Sequence, residues 1–170
     1  LTAMFTEMLF LVALREFNPR LWWRSFPFHF GLYLLIGTAA LLLGAAVATL
    51  LLPGLMAGWV GWTLHQAYRA TGIAGLGLAV VGAAGLLHRR LTDPNLKPYS
   101  TPADHFNLIA FLVVLAVVGA GWLLRPSGSP GALRLAVGLL TWDTTLQVPV
   151  LLAVGLALTA LLGAYVPFTH

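Results

Sequence analysis

Between Arg24 and Arg69 the chain carries no formally charged residue. Nothing else in the sequence narrows the fold as much. In water, an apolar interval of that length would need a large partner surface to cover it, and this chain has none to offer. Of its 170 residues 59% are hydrophobic and 8% charged, with a mean hydropathy of +0.90. A soluble domain carries about 25% charged residues. Such a composition needs lipid around it.

Crossing the hydrocarbon core takes about 20 mainly apolar residues, so the length allows about four to five spans with short connections. No room remains for a separate soluble part, and residues 1–170 form a single domain. The expected fold class is all-α: an integral-membrane bundle of about five transmembrane helices. The first is cut short, because Leu1 to Leu14 is too brief to span and contains Glu7. Both ends read as cuts in a longer sequence. The first run has neither a basic n-region nor a small-residue cleavage site, so it does not read as a signal peptide.

Segment one ends at Arg15-Glu16-Phe17-Asn18-Pro19-Arg20, and Trp22 and Trp23 follow as interfacial anchors. Segment two is expected from about Phe26 to Leu52, with Ser25 as its cap and Pro27 in its first turn. Trp59 to Arg69 reads as an interfacial turn leading into segment three, Ala70 to Leu87. Segment four is expected from Asp104 to Leu124. Ala132 to Leu140 reads as a short apolar helix at the surface, and segment five as Leu146 to Phe168.

The basic residues set an orientation. Arg15, Arg20, Arg24, Arg89, Arg90 and Lys97 fall in the loops of one side, and Arg69, Arg125 and Arg134 in those of the other. The richer side is expected to be cytoplasmic, which puts the N-terminus outside and the C-terminus inside. The net charge of +4 is therefore topology information and anionic-lipid contact rather than nucleic-acid binding. No basic run exceeds Arg89-Arg90. The absence of cysteine excludes disulfides, thiolate-held iron–sulfur clusters and covalent CxxCH haem attachment within this chain. Ala40, Gly44 and Ala48 share one helical face, and Gly75, Ala79 and Ala83 another. Both faces allow close helix packing or leave room for a flat cofactor.

Histidines are the side chains that point to chemistry. Segment two enters from the cytoplasmic side, so His29 lies about one turn inside that face. Segment five leaves toward the same side, so His170 lies at its inner end. Two imidazoles at one depth on neighbouring helices can supply both axial nitrogens of a haem iron, an arrangement suited to electron transfer. An ionisable residue inside a membrane is a functional candidate by default.

Phe28-His29-Phe30-Gly31 opens one span and Leu86-Leu87-His88-Arg89-Arg90-Leu91 closes the next. Thr101-Pro102-Ala103-Asp104 opens the fourth, and Pro167-Phe168-Thr169-His170 closes the fifth. In that order these segments resemble the membrane cytochrome b (gamma) subunit of respiratory nitrate reductase, and the related membrane subunits of heterodisulfide reductase and sulfite-reduction complexes. The resemblance covers nearly the whole chain, and each motif is short. It implies a bacterial or archaeal cytoplasmic membrane and haem b held by His29 and His170. The family's second haem needs a further histidine where this chain has Ala39, so one haem is expected, near the cytoplasmic face. Arg24, Arg89 and Arg90 suit its propionates, because guanidinium binds carboxylate in a bidentate fork. His88 and His105 read as interfacial polar residues.

The resemblance also implies a quinol site just before span three, where His65, Gln66, Tyr68 and Arg69 stand with Trp59 and Trp62. Quinone recognition needs a donor to a carbonyl oxygen and flat apolar walls, and histidine can accept the proton released on oxidation. The same cluster reads equally as an aromatic belt. The expected function is electron transfer between the quinone pool and a cytoplasmic iron–sulfur partner, with any catalysis belonging to the complex. The alternative is a haem-free membrane anchor or assembly subunit. A transporter fits poorly, because charged residues within the spans are nearly absent.

Overall fold

The computed structural model describes residues 7, 10–96 and 99–168, the side chain of Phe168 excepted. Among the described residues the α-helices occur in the order α1 (Val12–Phe17), α2 (Pro19–Leu51), α3 (Pro53–Met56), α4 (Trp59–Thr92), α5 (Pro102–Leu123), α6 (Ala132–Thr141) and α7 (Val150–Tyr165). A 3-10 turn, Val166–Phe168, follows α7. Among the described residues there is no strand. Among the described residues three helices, α2, α4 and α5, are long and apolar enough to cross a membrane, while α6 and α7 are shorter apolar helices. Large apolar side chains stand exposed around the bundle, among them Ile36, Ile73, Val81, Leu123 and Val150. A surface of that kind is stable against lipid and not against water. Among the described residues the fold is all-helical, and its three long apolar helices are of the length and composition that cross a membrane.

Several element boundaries differ from those read in the sequence, each for a local reason. Segment two begins at Pro19, not Phe26. Asn18 is its cap, and its Oδ1 accepts the Leu21 amide at 3.1 Å. Pro19 takes the first-turn position that suits proline. Ser25 and Pro27 therefore lie inside the helix, and Pro27 removes the amide that the Trp23 carbonyl would otherwise accept from. The expected turn from Trp59 to Arg69 is instead the first part of α4. That stretch has no proline, and its Gly61 packs so tightly on the Met56 carbonyl that a Cβ there would overlap it. α2 and α4 run for 33 and 34 residues, or about 50 Å each at 1.5 Å per residue. Both outreach the roughly 30 Å hydrocarbon core.

Segment four starts two residues early, at Pro102. Thr101 Oγ1 accepts the Asp104 amide at 3.3 Å, while Asp104 Oδ2 accepts the Thr101 amide at 2.9 Å, a reciprocal capping box. Segment five starts late, because Pro149 occupies its cap and Leu146 to Pro149 are not helical. Its α-helix has 16 residues, about 24 Å.

The helices α2 and α4 form the main contact, antiparallel and very close. The Cα and amide of Ala79 come so near Gly31 that a Cβ on Gly31 would collide with them. Further along, Gly82 accommodates the backbone of Phe28, and Gly85 the stem of Arg24. Thr38 Oγ1 donates to Thr71 Oγ1 at 2.7 Å across the pair. Gly75, Ala79 and Ala83 are all buried, as helix packing requires. The other small-residue face behaves differently: Ala40 and Gly44 are exposed, and the buried residues of that half of α2 are Ala45 and Ala46.

Beyond α4, α5 packs with Gly119 against Leu76, and α7 packs antiparallel on α5 through Gly121–Leu152 and Val118–Gly155. Tyr165 Oη closes that pair by donating to Asn107 Oδ1 at 2.8 Å. α6 does not stand apart at the surface; it packs against α2, with Leu135 and Gly138 buried. One end of the bundle thus holds Arg24, Arg89 and Arg90, and is called the arginine end. The start of α2, the ends of α4 and α7 and the start of α5 all meet there.

Candidate functional site

His29 lies on α2 toward the arginine end, partly buried, with its ring edge-on to Phe28 at 5.3 Å. Its Nδ1 sits 2.8 Å from the carbonyl oxygen of Ser25, one helical turn back. A carbonyl can only accept, so Nδ1 is the donor of this bond, and in the neutral ring Nε2 then offers its lone pair. That is the tautomer of a metal-ligating histidine, with backbone oxygen fixing the ring from behind. Ser25 Oγ is a secondary contact at 3.3 Å.

The expected partner, His170, lies outside the described residues. The packing nevertheless fixes depths. Phe28 meets Phe111 of α5 edge-on at 5.3 Å. Phe111 lies between Asn107 and Val118, which contact Tyr165 and Gly155 of α7. His29 is therefore level with the part of α7 between Gly155 and Tyr165. By Tyr165 the chain has passed that level toward the arginine end. No direct α2–α7 packing occurs among the described residues. Among those residues, too, no three His, Cys, Asp or Glu side chains gather as a metal site.

The three arginines named for the propionates differ in their engagement. Arg90 Nη1 pairs with Asp104 at 3.1 Å, and Arg89 Nε with Asp93 at 3.3 Å. Arg24 has no hydrogen bond or ion pair among the described residues. Arg89 Nη1 is enclosed and without a hydrogen-bond partner among the described residues. Asp93, just past the end of α4, is held below the usual carboxylate range, mainly by the Asn95 amide and then by Arg89. His88 is exposed. His105 Nδ1 lies 2.9 Å from the Thr101 carbonyl.

At the opposite end, Tyr68 Oη lies 2.7 Å from His65 Nδ1, and Tyr68 is buried. The rest of the expected quinone cluster does not close around that pair. His65, Gln66 and Arg69 are exposed, and Trp59 and Trp62 are 79% and 66% exposed. Residues 62, 65, 66 and 69 follow helical spacing, so they form one outward face of α4 rather than the walls of a turn.

Between these ends lies the Ala40–Gly44 face, expected either to pack against a helix or to leave room for a flat cofactor. An open apolar groove of about 470 Å³ runs between α2 and α4, lined by Tyr33, Gly37, Ala40 and Gly44 with Leu64 and Thr71. At 3.6 residues per turn, His29, Tyr33, Gly37, Ala40 and Gly44 share one face of α2. The signal was present in that periodicity, but only the packing shows that α4 occupies a neighbouring face and leaves this one free.

No protein-family model, no curated protein and no solved structure matches the chain.

Proposed function

We propose that the chain is a membrane cytochrome b subunit, a bundle of five spans counting the short first and last ones. It passes electrons between membrane quinone and a cytoplasmic iron–sulfur protein. The observation that carries this reading is the Ser25 carbonyl at 2.8 Å from His29 Nδ1. It orients the ring and, in the neutral imidazole, leaves Nε2 free to ligate, on a helix with no charged side chain after Arg24. The residues fit haem b on the His29 side: one imidazole nitrogen, and Arg24 on the same helix, without a hydrogen bond or ion pair among the described residues. A haem bound there would supply a one-electron carrier, with His29 and His170 as its proposed protein ligands.

The chain's own contribution is to hold His29 in one tautomer, to set Arg24 where an acidic group can be neutralised, and to exclude water by the tight α2–α4 contact. His170 is the proposed second ligand. Arg89 and Arg90, already paired, are secondary propionate partners. At the opposite end the Tyr68–His65 pair is the proposed proton acceptor of a quinol, with Trp62, Gln66 and Arg69 beside it. The orientation places the arginine end in the cytoplasm.

A reduced-minus-oxidised spectrum of the purified full chain, with quantitative haem extraction, tests this. One b haem per chain is expected. None would leave a haem-free membrane anchor.

A further inference from the structure

A second cleft, of about 260 Å³, opens at the arginine end where α4 finishes against the start of α2 and the loop before α5. Its apolar walls are Leu21, Leu86 and Leu96, and its polar lining includes Arg89, Arg90 and Tyr99. Three observations give it a chemistry. Arg89 Nη1 is enclosed and has no acceptor among the described residues. The Asp93 carboxylate reaches only Arg89 Nε, at 3.3 Å, and shares itself with the Asn95 amide. Arg90 spends one Nη on Asp104 and stays about one-third exposed. A guanidinium N–H shut away without an acceptor is costly, so a ligand that brings an oxygen anion gains more here than at an open surface.

We propose that this cleft holds the phosphate of an anionic membrane phospholipid. Arg89 would donate to the phosphate, Arg90 would lie beside it, and the glycerol and upper acyl chain would rest on Leu21, Leu86 and Leu96. The two aspartates cancel much of the net charge, so selection comes from the unmet N–H and from the mix of cationic and apolar lining. A free anion would not use the leucine walls. Basic pockets between transmembrane helices on the cytoplasmic side are suited to such headgroups. This assignment rests on the membrane reading and the orientation, not on haem.

The test is native mass spectrometry of the detergent-solubilised full chain titrated with phosphatidylglycerol, phosphatidylcholine or inorganic phosphate, with haem content read in parallel. The wild type is expected to retain phosphatidylglycerol in preference to phosphatidylcholine, with no displacement by inorganic phosphate. Arg89→Gln should weaken phosphatidylglycerol roughly tenfold or more, the scale of one lost charge-assisted hydrogen bond. Arg134→Gln, on α6, should leave it unchanged. If Arg89→Gln does not fold, Leu21→Trp, which fills the cleft, is expected to exclude the lipid instead. Equal retention of the two lipids, displacement by inorganic phosphate, or full retention in the Arg89 or Leu21 variant would overturn the proposal. So would loss of haem, with lipid retained, in Arg89→Gln; that result would hand Arg89 to a propionate.

Discussion

The backbone of Phe28 lies directly against Gly82, where a Cβ would come within 2.6 Å of the Phe28 Cα. That contact sets the spacing of α2 and α4 near the depth of His29. Gly82→Leu should force the helices apart, at about 1–3 kcal/mol for an overpacked core site. Gly77, on the same helix with nothing near its missing Cβ, should tolerate alanine. Thermal unfolding in detergent compares the two, and equal midpoints would show that the close packing contributes nothing.

For His29, the prediction separates ligand from support. His29→Gln should abolish the b-type spectrum. Ser25→Ala should keep it, because the 2.8 Å bond to Nδ1 uses the main-chain oxygen and the hydroxyl is only a 3.3 Å neighbour. His88→Ala, at an exposed position, should also keep it. Haem content per chain after purification decides among these.

Tyr165 and Asn107 join α7 to α5 by a single 2.8 Å hydrogen bond. Interhelical bonds of this kind average about 0.6 kcal/mol, with a ceiling near 1.7. Tyr165→Phe and Asn107→Leu should each destabilise by up to about that amount, and the double variant by less than their sum. Strict additivity in a double-mutant cycle would mean that the bond is not made.

At the start of α5, Thr101→Ala removes one arm of the capping box and should cost about 1 kcal/mol. The Arg90–Asp104 ion pair is one-third exposed at both side chains and should contribute less, about 0–1 kcal/mol. Arg90→Gln should therefore be milder than Thr101→Ala in the same unfolding assay.

The α6–α7 loop should respond to acid. Asp143 Oδ1 accepts from the Thr145 hydroxyl at 2.6 Å and from its amide at 3.0 Å. These bonds hold its pKa below the ordinary value of 3.8, the hydroxyl being the larger cause. A depressed carboxylate stabilises the fold above its ordinary pKa, and that contribution is lost as pH falls through the folded value. Protection of the Thr145 amide from hydrogen exchange should be independent of pH near neutrality and fall only in strong acid. Asp143→Asn should remove that acid step.

Composition and the charge-free interval from Arg24 to Arg69 were enough to determine a helical membrane protein, because apolar surface on that scale has no stable place in water. They also singled out His29, since a lone imidazole in such a helix stands out in one dimension. Helix ends were less legible. Asn18-Pro19 and Thr101-Pro102 carry ordinary cap signals, but an apolar helix continues through Trp22 or Tyr68 with no local penalty, so hydropathy alone misplaced those ends. Which face of each helix is covered was decided only by tertiary packing. Both small-residue stripes look alike in sequence, yet Gly75–Ala83 is buried and Ala40–Gly44 lines an open groove. The difference is steric: the backbones of α2 and α4 approach most closely at Phe28–Gly82 and Gly31–Ala79, where a glycine lacks the Cβ that would collide, and that register brings Gly75–Ala83 into the contact. The unmet N–H of Arg89 likewise belongs to no motif. It exists because α2, α4 and the loop before α5 converge there.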